Sequence, residues 1–213
     1  MSTGTVPLEQ LVAWLSRFTE LVTENRAYLT ELDSAIGDAD HGANMARGMT
    51  AVMEKLGDGA TPAAADDLFK SVGMTLVTSV GGASGPLYGT FFLRMGMTAG
   101  PVAALDAGAL GVALRAGLEG VVTRGKAEAG DKTMFDAMAP ALDAYDAAIA
   151  AGGSIPDATA AAFAAAETGR DATEPLVARK GRASYLGERS AGHLDPGATS
   201  TALLFQALAE TLG

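Results

Sequence analysis

The chain has 213 residues, no cysteine, and a formal net charge of -10 from 25 acidic and 15 basic residues. That length with 48% hydrophobic content supports one domain with a real core, residues 1–213, and argues against disorder. Absent cysteine excludes disulfides and thiolate chemistry, and the acidity argues against a nucleic-acid surface, which needs clustered lysine and arginine. We expect a cytoplasmic protein with no nucleic-acid or membrane partner. The N-terminus lacks the charged-then-apolar pattern of a signal peptide, and the longest apolar run, residues 72–93, is broken by glycines.

Leu8, Leu11, Val12, Leu15, Phe18, Leu21, Val22 and Leu29 recur at spacings of three and four, predicting one amphipathic helix over residues 8–32 that opens at Pro7. Asp33, Asp38 and Asp40 follow within eight positions, around Gly37. Carboxylates this crowded repel unless a cation lies among them, and hard oxygens on a short loop suit Mg²⁺ with positions left for phosphates. Asp is equally at home in turns and helix caps, so a structural role stays open at this point. His41, Gly42, Ala43 and Asn44 open the next helix, whose free N–H groups favour a phosphate.

That helix reads to about Leu56, ended by Gly57 and Gly59; Thr61 and Pro62 then begin a helix reaching Val80. A glycine-rich break, residues 81–86, contains Ala83 and Ser84 but no Gly-Lys-Ser/Thr, so it is not a Walker A loop. Helical patterns resume over 87–97, 102–117, 133–150, 156–169, a stretch leading to Ala178, and 198–212. With no alternating β-branched runs, the expectation is an all-α fold of about eight antiparallel helices.

Gly125 and the run Gly130, Asp131, Lys132, Thr133, Met134 form a third break, with Asp131 or Thr133 suited to a helix cap. Arg179, Lys180, Arg182 and Arg189 then place four basic residues within eleven positions, ahead of His193 and the run Asp195, Pro196, Gly197. An arginine fork there matches phosphate oxygens, although a solvated loop would also account for it. The two histidines, His41 and His193, are not spaced as a metal pair.

Four motifs in this order, Asp33-x4-Asp38-Ala-Asp40-His-Gly-x-Asn44, Gly81-Gly-Ala-Ser-Gly-Pro, Gly130-Asp-Lys-Thr-Met and Arg179-Lys-Gly-Arg with His193-x-Asp195-Pro-Gly, closely resemble the nucleotide-binding L subunit of bacterial dihydroxyacetone kinase. The resemblance spans nearly the whole chain. It implies a barrel of eight antiparallel helices with ADP (or ATP) and two Mg²⁺ at one end. Asp33, Asp38 and Asp40 would be the metal ligands and, with Arg182, the catalytic groups. His41, Gly42, Ala43, Asn44, Ala83, Ser84, Gly125, Met134, Arg182, Asp195, Pro196 and Gly197 would line the nucleotide. Ala43 departs from the family's frequent threonine. The implied partners are a K subunit that binds dihydroxyacetone and a phosphohistidine carrier, the M subunit, that recharges bound ADP. Another short ketose such as erythrulose, a phosphate donor exchanging as ATP, or a regulatory module acting on a transcription factor are the competing readings.

Overall fold

The computed structural model describes residues 4–57 and 62–213. Among these, nine α-helices account for most of the chain: α1 Leu8–Glu24, α2 Arg26–Ile36, α3 His41–Gly57, α4 Ala65–Ser79, α5 Ser84–Ala99, α6 Ala107–Gly125, α7 Met134–Ala150, α8 Ile155–Asp171 and α9 Pro196–Leu212. Each helix from α3 onward packs on the next, and α1 packs on both α3 and α9, so the ring closes into a barrel. The all-α expectation holds.

The single helix expected over 8–32 is two. Asn25 ends α1 because its side-chain amide donates to the Leu21 carbonyl at 2.8 Å, competing with the backbone ladder, while its own N–H takes the same carbonyl at 3.0 Å. α2 then runs on past the expected end, carrying Asp33 in its last turn. The stretch leading to Ala178 is turns, and the basic run from Arg182 to Ser190 winds into a 3₁₀ segment broken at Gly187, where φ is 55°. The cap expected at Thr61 lies outside the described residues. Two three-residue strands, β1 Thr5–Pro7 and β2 Ala104–Asp106, pair antiparallel and escape detection because three residues show no period.

Several helix starts follow from local chemistry. Thr133 and Asp136 cap α7 reciprocally, as Ser154 and Asp157 cap α8, and Asp195 accepts the Ala198 N–H at the start of α9 at 2.7 Å. Inside the barrel an aromatic group gathers around Trp14, 6.3 Å from Phe69 and 6.0 Å from Phe92. The Trp14 indole N–H donates to the Leu204 carbonyl at 2.9 Å, joining α1 to α9. Ala158, Ala162 and Ala166 are fully buried and form the packed face of α8. No helix among the described residues is long and apolar enough to cross a membrane.

Candidate nucleotide and metal site

A cavity of about 600 Å³ opens at one end of the barrel, within the range usual for small-molecule sites. α2, α4, α6 and α8 run toward this end, whereas α3, α5, α7 and α9 begin there. His41, Ser84, Met134 and Pro196, each the first residue of its helix, all line the cavity. Four helix starts thus bring partly positive ends and free N–H groups to one place. Arg124, Lys180 and Arg182 add positive charge around the same space. A chain with net charge -10 therefore holds a pocket suited to anions.

Asp33, Asp38 and Asp40 stand against this background, each offering a carboxylate oxygen within 4.8 Å of the others. Asp33 is buried in the last turn of α2, and its Oδ2 accepts the N–H of Asp40 at 2.8 Å and of His41 at 3.1 Å. Both readings left open by the sequence apply to it, since it caps α3 and also faces the other two acids. Ala39 between Asp38 and Asp40 has φ 60°, a conformation uncommon for alanine. Three clustered hard oxygens without nitrogen or sulfur donors fit Mg²⁺ in chemistry and charge. Across the mouth Arg182 meets Asp38 at 3.0 Å.

His41 is held on both ring nitrogens, Nδ1 facing the Ser84 hydroxyl at 3.0 Å and Nε2 the Ser200 hydroxyl at 2.9 Å. Ser200 in turn meets the Tyr88 hydroxyl at 2.8 Å, which also reaches Thr201 at 3.0 Å. Burial pushes the His41 imidazole below its ordinary value, with Asp33 and Asp40 opposing, and raises the Tyr88 phenol to about 12. Both groups are neutral near pH 7. The network locks the starts of α3 and α5 against α9, which fixes the cavity floor. Burial also lifts the Asp195 carboxyl to about 7, against the Ala198 N–H and Lys132, which favour its charge.

The structure gathers Asp33, Asp38, Asp40, His41, Ala83, Ser84, Gly125, Met134, Arg182, Asp195, Pro196 and Gly197 on the cavity. Three of the residues expected there stand elsewhere. A Cβ on Gly42 would lie 2.1 Å from the Arg26 carbonyl, so this glycine exists for the close approach of α3 to α2. Ala43 faces an outer cleft with Thr30 and Glu31, and its departure from threonine therefore alters no cavity wall. Asn44 lies behind the glycine-rich loop, its side chain 3.1 Å from where a Gly81 Cβ would be, and accepts from Arg47 at 2.6 Å.

Ile36, Leu87, Tyr88 and Val121, which the sequence does not single out, line the cavity with Met134 and supply an apolar wall. In the sequence these are indistinguishable from core residues. Lys132, in the sequence only part of a glycine-marked break, is buried beside the cavity with its ammonium turned to backbone carbonyls.

The DAK2 domain model matches residues 35–210. The chain is 48% identical to the ADP-binding subunit DhaL of the PEP-dependent dihydroxyacetone kinase of Escherichia coli K12, over 94% of this chain and 95% of that one. It is 49% identical to the corresponding subunit of kinase 1 of Listeria innocua, over 93% of each. The crystal structure of the dihydroxyacetone kinase from C. freundii in complex with AMP-PNP and Mg²⁺ superimposes with a TM-score of 0.73 at 30% identity, covering 94% of this chain. The chain spans about a third of that kinase, 33%. Both in the residues matched and in the identity to relatives of the same length, the chain belongs to the DAK2 domain family, alongside the DhaL subunits.

Proposed function

We propose that the chain is the nucleotide-carrying subunit of a dihydroxyacetone kinase, a phosphotransferase that binds ADP through Mg²⁺. The observation that carries this reading is the convergence of three aspartate oxygens within 4.8 Å on a cavity into which four helices open. Bound Mg²⁺, two ions on the family pattern, would neutralise the phosphates and hold them for in-line transfer. Asp33, Asp38 and Asp40 would ligate the ions. The first N–H groups of α5 and α9, with Ala83, Ser84, Pro196 and Gly197, would cradle the phosphates. Leu87, Val121 and Met134 give an apolar wall on which a base can lie, and Gly125 keeps that wall open. Arg182 would bring a planar fork to the terminal phosphate and carry charge away from Asp38.

Phosphoryl transfer asks for positioning and charge more than for protein nucleophiles, and these residues supply both. The acceptor, dihydroxyacetone, would be presented by a K subunit docked over the mouth, and a phosphohistidine carrier, the M subunit, would return phosphate to ADP. Calorimetry of the purified chain tests the reading. Binding of ADP that requires Mg²⁺ supports it, as does phosphate transfer to dihydroxyacetone when a K subunit is added. Absence of Mg²⁺-dependent ADP binding overturns it.

A further inference from the structure

Between α8 and α9 the chain makes an excursion, residues 172–195, that carries Arg182 and Tyr185 to the cavity mouth. Little apolar burial holds it there, since Tyr185 is 87% exposed and the Arg182 side chain 68%. Its cohesion lies at the base. The Gly192 N–H donates to the Glu174 carbonyl at 2.8 Å, the Asp195 N–H to the Thr173 hydroxyl at 3.0 Å, and the Ala178 N–H to the Ser190 hydroxyl at 2.8 Å. At the centre of these cross-links sits the ammonium of Lys132, a residue from outside the excursion and only 1% exposed.

Four backbone carbonyls surround that nitrogen: Glu174 at 3.3 Å and Leu176 at 3.1 Å on the outgoing arm, Ser190 at 2.7 Å and His193 at 2.5 Å on the returning arm. No carboxylate among the described residues pairs with it at salt-bridge distance, so carbonyl dipoles surround its charge, with Asp195 and Glu174 favouring it from further off. An ammonium has three donors, so four acceptors share them. The backbone of Lys132 is itself left-handed, at φ 62°, an uncommon conformation for a lysine that persists only where surroundings impose it.

We infer that Lys132 is a positioning residue whose ammonium acts as a tethered cation, binding both arms of the excursion and so holding Arg182 at the cavity mouth. Without it the Leu176, Ser190 and His193 carbonyls lose this donor, the Glu174 carbonyl keeps only the Gly192 N–H, and the two arms are joined by the three direct hydrogen bonds alone. The effect on ligand binding rests on reading the cavity as a Mg-ADP site; the effect on the excursion does not.

The test compares the wild-type chain with Lys132→Met, which keeps the side chain's length without its charge, and with Lys132→Gln, which restores part of the donor set. Trypsin reports the excursion directly, through cleavage after Arg179, Lys180, Arg182 and Arg189. In Lys132→Met these sites are expected to be cut at least about tenfold faster with helical circular dichroism retained, and Mg-ADP affinity to fall about tenfold. Lys132→Gln should lie between. Ammonium or methylammonium chloride should slow the cleavage and restore affinity in Lys132→Met, while tetramethylammonium chloride at equal ionic strength, too bulky for the carbonyl cage, should not. Unchanged proteolysis, changes that ammonium does not reverse, or loss of the helical signal would each overturn the inference. If the wild-type chain itself binds no Mg-ADP, the nucleotide reading fails while the proteolysis arms still decide the role of Lys132.

Discussion

Asp38 and Arg182 face each other across the cavity mouth at 3.0 Å, the one from the loop before α3 and the other from the excursion before α9. The pair is largely solvent-exposed and contributes little stability. Its interest is that one partner belongs to the acidic cluster and the other can follow a phosphate. Arg182→Gln is expected to leave the melting temperature unchanged and to weaken Mg-ADP binding about tenfold, by loss of a charge-assisted hydrogen bond. Calorimetry decides it, and equal affinities would remove Arg182 from the binding machinery.

Asp33 and Asp38 should behave differently. Asp33→Ala removes the acceptor of the N–H groups of Asp40 and His41 and is expected to cost about 1 kcal/mol of stability. Asp38→Asn is expected to leave the melting temperature of the metal-free chain unaltered. Both should lose Mg²⁺-dependent ADP binding, and thermal melts beside calorimetry separate the two effects.

Adding ligand should stabilise the native chain. At ADP and Mg²⁺ about a hundredfold above their dissociation constant the gain is about 2.7 kcal/mol, or about 5–10 °C in melting temperature for a chain of this size. A chelator should reverse it. A melt indifferent to both ADP and chelator would contradict the metal site.

The pH dependence of stability is set by two buried groups acting in opposite senses. The Asp195 carboxyl is raised by burial from 3.8 to about 7, so the unfolded chain releases this proton first and the associated stability, full below the lower value, is lost as pH rises through the upper one. His41 is lowered from 6.5, so its contribution is present above that value and lost as pH falls through the folded one. Asp195→Asn keeps an acceptor for the Ala198 N–H and removes only the first slope. Its melting temperature relative to wild type should therefore be more favourable at about pH 7.5 than at about pH 4.5, and a difference independent of pH would show that Asp195 is not shifted.

Gly42→Ala should act on the cavity from outside it. Its Cβ would meet the Arg26 carbonyl at 2.1 Å and the Thr30 nitrogen at 2.9 Å, forcing the start of α3 away from α2. A destabilisation of about 1–3 kcal/mol is expected, as for an overpacked contact, together with weaker Mg²⁺-dependent ADP binding because Asp40 and His41 move with the helix. Both are read from one melt and one titration.

The helices were legible in the sequence because they show long apolar periods, whereas their closure into a barrel came only from the resemblance; the polar residues of the cavity were legible because they cluster in glycine-marked breaks. What escaped did so for identifiable reasons. Asn25 interrupts the first helix without disturbing the apolar stripe, so the period runs straight through the break. Strands of three residues carry no period. Gly42 and Ala43 adjoin the aspartates in sequence, but a helix turns about 100° per residue and carries them away from the site their neighbours face; Asn44 returns toward that side and is taken up by Arg47 behind the glycine-rich loop. Lys132 reads as a solvent-seeking residue until the carbonyls that receive it, some forty to sixty positions downstream, are folded around it.

The parity of the barrel sets the end at which the first strand and the last helical turn lie. α9 begins in the cavity and spans 17 residues, about 25 Å along its axis, and β1 pairs with β2 beside the far end of α5. Both the first strand and the last helical turn thus lie at the end opposite the mouth. A carrier, a surface or a second domain joined there leaves the mouth clear. Anything joined there that must itself reach the phosphates needs a tether of at least about eight extended residues to travel back along the barrel; linker length alone therefore decides between a bystander and a participant.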